Sequence, residues 1–234
     1  MAGAAIGVAA GNRLPERVRD TVTQALGLVT LVLAGLNLMS LTDEKFAAAV
    51  TSGGTLLVIL GAMVAGSVIG AALDLAGRLD ALGGWLQRRL VHDDTPGSQA
   101  AFIEGFVTTS LVVAIGPLAI LGSLADGLHG DISQLVLKSV MDGVICVAFA
   151  ASLGWGVAAA ALSVLVVQGT FTIAGATLGT FLPDAEIAAI TATGGLLLLG
   201  VGLRLLSIKS VAVANMLPAL ILSPLLTWAV VALR

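Results

Sequence analysis

The chain is poor in charged, aromatic and thiol side chains. Of its 234 residues only 11% are charged and 4% are aromatic, tyrosine is absent, and cysteine occurs once. The single cysteine, Cys146, excludes an intramolecular disulfide and a metal site made of paired thiols. The sequence motifs of zinc proteases, serine hydrolases and P-loop enzymes are absent, and neither histidine lies in an apolar run. We therefore expect no enzyme and no bound cofactor.

Apolar residues dominate what remains. The chain is 58% hydrophobic with a mean hydropathy of +1.07, far above the range of soluble domains. These values predict an integral membrane protein. Its 29 glycines predict that the helices pack closely through small residues, since aromatic side chains are too few to do so.

The apolar residues fall into long runs. A helix needs about 20 apolar residues to cross a bilayer core. Seven runs have this length, near residues 21–41, 50–76, 102–124, 136–154, 156–181, 187–207 and 211–233. The sequence thus predicts an all-α integral membrane protein, a bundle of seven or eight transmembrane helices that forms one domain over residues 1–234.

The apolar segment 2–11 is too short to cross a bilayer. It is interpreted either as the end of a first helix whose beginning is missing or as a short packed helix, because Gly3, Gly7 and Gly11 recur at intervals of four. A cleaved signal peptide is the competing interpretation, although no basic residues precede the apolar ones.

The charges alternate between successive connections. Arg13, Arg88 and Arg204 fall on one side of the predicted bundle, and the positive-inside rule makes that side cytoplasmic. Asp131 and Asp184 fall on the opposite, outer side. The other acidic residues of the outer connections are Asp43, Glu44, Asp126 and Glu186.

The sequence repeats itself at an offset of 168 residues. A G-x-x-x-G-x-x-L-P frame begins at Gly7 and again at Gly175, so that Pro15 corresponds to Pro183. An odd number of predicted crossings separates the two copies, so they run in opposite directions. The sequence therefore predicts an inverted repeat, the arrangement of many secondary transporters. Repeat one covers about 5–76, a central helix pair about 102–154, and repeat two about 156–233.

A second match, at an offset of 38 residues, pairs two acids. The stretch "EGFVTTSLVVAIG" from Glu104 aligns with "DGVICVAFAASLG" from Asp142. Each acid precedes a glycine near the head of a predicted span, and the two spans are consecutive and hence antiparallel. An acid at this place in a helix is also favoured simply as an N-terminal cap of the helix dipole. Lys138 lies one turn before Asp142, a spacing that allows an ion pair, although the order with lysine first is the weaker orientation. We expect Lys138 instead to snorkel to the outer membrane interface.

Several motifs resemble one bacterial family. The stretches "FIEGFVTTSLVVAIGPLAILGSLADGLHGD", "LKSVMDG", "VVQG" and "VANMLPAL" occur in the order found in domain-of-unknown-function family 554, and the resemblance covers essentially the whole chain. It implies a multi-pass protein of the bacterial plasma (inner) membrane that acts as a transporter, without an established substrate.

Four side chains are predicted to line a polar site for a small cation or a cation-coupled solute. They are the acids Glu104 and Asp142 and the amides Gln168 and Asn215, which stand beside glycine or proline residues that can break a helix and free its carbonyls. Such oxygen donors suit hard cations, although the metal itself stays open. The same reasoning applies at Gly116 and Pro117.

The sequence therefore favours a secondary transporter or ion-conducting protein. The alternative is a non-transporting membrane scaffold or partner-binding subunit. The predicted partners are the lipid bilayer and a small ion or solute, with no nucleic acid, and a homo-oligomer is left open.

Overall fold

In the computed structural model of the chain, the described residues are 1–11, 15–51, 53–78, 81, 85, 98–114, 117–178 and 183–233, and every regular element among them is helical. The α-helices are α1 (Ala2–Gly11), α2 (Glu16–Leu38), α3 (Glu44–Val50), α4 (Gly54–Ala72), α5 (Ser98–Ala114), α6 (Pro117–His129), α7 (Ser133–Leu153), α8 (Gly156–Leu178), α9 (Asp184–Leu205), α10 (Val213–Met216) and α11 (Ala219–Ala232). A 3₁₀ turn, Met39–Thr42, joins α2 to the segment before α3. The predicted all-helical fold is confirmed.

Six apolar segments of the described chain are long enough to cross a membrane: Asp20–Thr42, Gly54–Ala72, Ser133–Leu153, Gly156–Thr177, Asp184–Leu205 and Val213–Ala232. They correspond to six of the seven predicted spans. The remaining one, predicted at 102–124, falls on two shorter helices, because α5 ends at Ala114 and α6 begins at Pro117. Proline has no N–H to donate and suits the first turn of a helix, which explains why a helix starts at this residue.

The chain folds into two compact units. Unit one contains Met1–Leu28 and Gly77–Gly179, and unit two contains Val29–Ala76 and Thr180–Arg234. Each unit therefore combines an early and a late part of the sequence.

Unit one is built around α7. This helix runs antiparallel to α5, because Lys138 near its start contacts Val113 near the end of α5, while Leu153 near its end contacts Gly105. It turns back into α8 at Gly154, whose φ of 73° is in the left-handed region that glycine tolerates best. The helix α8 then runs parallel to α5.

Glycines allow the helices of unit one to touch. A Cβ atom at Gly3 would lie 2.4 Å from the carbonyl oxygen of Gly143, and one at Gly7 would lie 2.3 Å from that of Val147. The predicted helix-packing role of these two glycines is thus confirmed, and α1 is a short helix packed on α7. At the start of α8, a Cβ at Gly156 would lie 2.0 Å from the carbonyl oxygen of Phe102.

Unit two is built around α9. In the most apolar stretch of α9, 78% of the residues are buried, against 17% in α8 and 22% in α7. The short helix α3 and the start of α4 pack on it through a cluster of small and large apolar side chains: Phe46, Val50, Val58, Ile59, Ala185, Ala188, Ala189 and Ala192. The alanines of α9 leave room for the aromatic ring and the branched side chains opposite them.

Helix directions in unit two follow from its contacts. The starts of α4 and α9 pack together, and near their ends Gly70 of α4 and Gly200 of α9 contact the neighbouring residues Asn215 and Val213, so the two helices are parallel. Against α4, α11 is antiparallel, because Gly66 contacts Ala219 and Gly61 contacts Leu226. The end of α2 contacts Gly195 in the middle of α9, and the chain then continues to α3, which lies beside the start of α9. The chain thus runs toward the start of α9, and α2 is antiparallel to α9.

The two ends of α9 differ in charge. At its start Asp184 pairs with Lys45 of α3, and Asp43 caps α3 by accepting a hydrogen bond from the Phe46 N–H at 2.9 Å. At its other end stand Arg204 and Lys209. The hydrogen bond to Asp184 raises the pKa of Lys45 above its ordinary value. Asp184 and Arg204 thus lie at opposite ends of one helix, as the predicted topology requires.

Glu186 was predicted in an outer connection, and this prediction is wrong. The residue lies in the first turn of α9 and is only 7% exposed. The helix begins at Asp184, three residues before the start predicted from the apolar run at 187. Glu186 is therefore part of the helix and is buried where that end packs. The predictions for Arg13, Arg88 and Gly116 concern positions outside the described residues.

Candidate functional site

A charged pair lies in the first half of α7. Lys138 donates a hydrogen bond to the carboxylate of Asp142 one turn later, and the two form a salt bridge. The lysine is 8% exposed, and the Asp142 side chain is 21% exposed. The predicted snorkelling of Lys138 to the interface is therefore wrong, because its ammonium has partners within unit one. Asp142 also lies further inside its helix than its predicted place near the head, since α7 begins at Ser133.

Lys138 makes a second bond, to the backbone of α5. Its Nζ donates to the carbonyl oxygen of Val113 at 2.6 Å. In an uninterrupted α-helix this oxygen would accept the N–H of residue 117, four positions later. Residue 117 is a proline and has no N–H. The ammonium thus binds the carbonyl that Pro117 leaves without its helical donor, at the negative end of the α5 dipole.

A cavity of about 230 Å³ adjoins this pair. It lies entirely within unit one, between residues of α1, α5, α7 and α8. Its polar lining comes from Lys138, Ser139, Asp142, Cys146 and Gln168, and its apolar or backbone lining from Met1, Gly3, Val113, Leu135, Gly143, Val157, Ala160, Ala161 and Val164. Since each turn of α7 in this region contributes a polar group and α8 contributes Gln168, the cavity has donors and acceptors to hold water or a small solute.

Two of the four predicted site residues meet at this cavity. Asp142 lines it from α7 and Gln168 from α8. Glu104 is half-buried in α5 and is not part of the cavity lining. The matched acids of the offset-38 repeat are therefore in different surroundings: Asp142 is paired with Lys138, while the glycine after Glu104 packs on Leu153.

Asn215 has a structural hydrogen bond in unit two. Its side-chain oxygen accepts the Ala76 N–H at 2.9 Å, at the beginning of the helical residues 75–78. Its backbone carbonyl lies against Gly70, where a Cβ atom would approach within 1.9 Å. Asn215 thus links α10 to the end of α4.

Sequence reasoning missed the Val113 carbonyl, although a signal was present. Pro117 marks the carbonyl four residues earlier as lacking a donor, but only the antiparallel packing of α5 and α7 shows that Lys138 reaches it. It also did not anticipate the 2.9 Å hydrogen bond between the hydroxyls of Ser110 and Ser163, which joins α5 to α8.

The part of the chain that the structure describes has six long apolar helices, most of them with few buried residues, and a charged pair inside one of them. These features define a multi-pass helical membrane protein. The chain belongs to the DUF554 family of proteins of unknown function, whose family model matches residues 1–228.

Two relatives illustrate how far this similarity extends. The chain is 30% identical to the uncharacterized protein YqgA of Escherichia coli (strain K12) over 221 residues, which is 94% of this chain and 89% of YqgA. It is 28% identical to the uncharacterized membrane protein YdfK of Bacillus subtilis (strain 168) over 232 residues, 98% of this chain and 92% of YdfK. No solved structure matches the chain significantly.

Proposed function

We propose that the protein is a secondary transporter or ion-conducting protein that moves a small cation, or a solute coupled to one, past Asp142. The observation that carries this proposal is the Lys138–Asp142 pair beside a cavity in a membrane-spanning helix. Gln168 supplies an amide to the same cavity from α8.

The energetic argument concerns the cost of charge in a bilayer. A lysine or an aspartate at the centre of a spanning helix costs about 2.5–3.5 kcal/mol on insertion scales, so such residues usually belong to ion pathways or proton relays. A buried ion pair is weak support for stability, because apolar side chains of similar volume often serve as well. A functional role therefore accounts for this pair better than a purely structural one.

An inverted repeat is the second part of the proposal. Helices α2 and α9 correspond at the offset of 168 residues and are antiparallel where they meet in unit two. The next long helices in each copy, α4 and α11, are antiparallel as well. Each copy also has a short helix between its two long ones, α3 in the first and α10 in the second. Such repeats allow alternating access by exchanging the conformations of the two halves.

We further propose that α5 and α6 together form a seventh crossing. Both follow α8 in one direction, because Phe102, Ser110 and Gly127 contact successively later residues of α8. In this crossing Pro117 leaves the Val113 carbonyl without its helical N–H donor. With this crossing the bundle has seven spans in the inner membrane of a bacterium, with Arg204 cytoplasmic and Asp184 outside.

Ion flux in liposomes tests the function. Purified protein is reconstituted and assayed for uptake of protons, Na⁺, K⁺ and divalent cations, alongside Asp142→Asn, Glu104→Gln and the control Asp184→Asn. We expect Asp142→Asn to abolish the flux that the wild-type protein supports, while Asp184→Asn retains it, since that acid lies at the exposed end of α9.

A folded Asp142→Asn variant with wild-type fluxes would contradict the proposal. The pair would then be structural, and a membrane scaffold would be the better description. Loss of flux in Glu104→Gln as well would extend the pathway to α5.

A further inference from the structure

The ammonium of Lys138 sits in an oxygen-lined position that resembles a cation site. It is held by the carboxylate of Asp142 and, at 2.6 Å, by the Val113 carbonyl that Pro117 deprives of its helical donor. Free backbone carbonyls are ligands for Na⁺ in membrane transporters, and a carboxylate oxygen is a further hard ligand for such cations. The lysine thus makes the contacts that a small cation would make.

We infer that Lys138 and the transported ion compete for this one position, and that the ion is a monovalent alkali cation such as Na⁺ or K⁺. The inference rests on the proposed function. It adds the identity of the transported ion and the side chain that competes with it. The adjoining cavity of about 230 Å³ gives the displaced lysine side chain a place to move, since its four-carbon stem is flexible.

The charge of the ligands selects a monovalent ion. Asp142 supplies one negative charge, and the Val113 carbonyl at 2.6 Å from the ammonium is neutral, as is the Gln168 amide that lines the same cavity. Among the described residues no group of three or more acidic, histidine or cysteine side chains could hold a divalent metal. Hard oxygen donors favour alkali and alkaline-earth ions over soft metals. One carboxylate balances one positive charge, as it does now with the ammonium.

Three substitutions at Lys138 separate charge from hydrogen bonding. Lys138→Arg keeps the charge, Lys138→Gln removes it but keeps a donor for the Val113 carbonyl, and Lys138→Met removes both. Binding is measured as thermal stabilisation of the purified protein by NaCl or KCl, titrated against choline chloride at constant ionic strength.

The Gln and Met variants are expected to bind Na⁺ or K⁺ about 5- to 150-fold more tightly than the wild-type protein, the usual range for coupled events. The Arg variant is expected to stay as weak as wild type. Adding Asp142→Asn to Lys138→Gln should remove the stabilisation, because it removes the charged ligand. A Gln variant that folds only when Na⁺ or K⁺ is present would also support the inference.

Affinity that is unchanged in Lys138→Gln and Lys138→Met would overturn the inference, as would a Gln variant that stays unfolded in every salt. The two proposals fail separately. If Asp142→Asn abolishes flux but removing the lysine charge leaves affinity unchanged, only the competition is wrong. If Asp142→Asn leaves flux intact, the proposed function is wrong.

Discussion

The two units place their polar side chains differently. In unit two the buried hydroxyls of Thr191, Thr193 and Thr227 donate to carbonyls four residues earlier in their own helices. Unit one has such bonds as well, as from Ser123 to Ala119, but there Lys138 also joins α7 to α5 and Ser110 joins α5 to α8. In unit two the side chain of Asn215 makes a link of this second kind, to the N–H of Ala76. A hydroxyl that bonds within its own helix does not contribute to the contact between helices, which then depends on apolar side chains. A hydrogen bond between helices fixes two particular positions against each other. Among the described residues, the partly buried ion pair beside a cavity belongs to unit one.

Glu186 is the exception that limits this comparison. It is a buried acid in unit two, and its Oε2 atom has no hydrogen-bond partner among the described residues. Unlike Asp142 it lies at the start of its helix, where the dipole favours a negative charge. A buried charge therefore does not by itself distinguish the units; the Lys138–Asp142 ion pair on a cavity does.

The largest effect is expected from removing half of the pair. Lys138→Met leaves Asp142 partly buried without its cation and should lower the free energy of unfolding by up to about 3–5 kcal/mol. Denaturation in mixed micelles, with choline as the only added cation, measures this. Adding Asp142→Asn should restore much of the loss, because the pair is then neutral. A double variant as unstable as the single one would show that the charges are not coupled.

Close packing in unit two predicts the next effect. Gly70→Ala places a Cβ atom 1.9 Å from the Asn215 carbonyl oxygen, so α4 and α10 must separate. We expect a loss of about 1–3 kcal/mol, as for other overpacked sites. Gly35→Ala, in α2 of the same unit, is the control, since nothing lies within 4 Å of its added Cβ. Equal stabilities for the two variants would contradict the described packing.

A smaller difference separates the hydroxyls of the two units. Ser110→Ala breaks an interhelical hydrogen bond and should cost about 0.6 kcal/mol, the average for such bonds in membranes. Thr193→Val removes a bond within one helix and should cost less, because the carbonyl keeps its backbone donor. The same denaturation assay ranks them. A larger loss of stability in Thr193→Val than in Ser110→Ala would contradict this difference between the two hydroxyls.

The smallest effect is expected at the exposed Lys45–Asp184 pair. Because the paired carboxylate raises the pKa of Lys45, any stabilisation is present below the ordinary lysine pKa and disappears as pH rises through the higher folded-state pKa. Lys45→Ala should therefore melt almost like wild type between neutral and mildly alkaline pH, since exposed pairs contribute little. A large difference in melting temperature would mean that the pair anchors α3.

Much of the fold follows from the sequence, because a bilayer imposes one length on every spanning helix. That constraint locates the six spans found among the described residues. Helix ends were less predictable: α7 and α9 begin three residues before their predicted spans, which moved Asp142 inward and buried Glu186.

The site was only partly predictable for a different reason. Asp142 and Gln168 could be found as polar groups in apolar runs. The Val113 carbonyl is 25 positions before Lys138, and Asn215 is 139 positions after Ala76, so these contacts depend on how helices pack. Hydropathy indicates whether a helix crosses the membrane. It does not indicate which other helix packs against it.

The accessibility of Cys146 tests the central claim most directly, because this only cysteine of the chain lines the Asp142 cavity one turn further along α7. Wild-type protein in oriented membranes is treated from each side with a charged, membrane-impermeant methanethiosulfonate reagent. We predict modification of Cys146 from at least one side and slower modification when Na⁺ or K⁺ replaces choline. Labelling by membrane-permeant N-ethylmaleimide alone, at a rate that no cation changes, would contradict an ion pathway past Asp142.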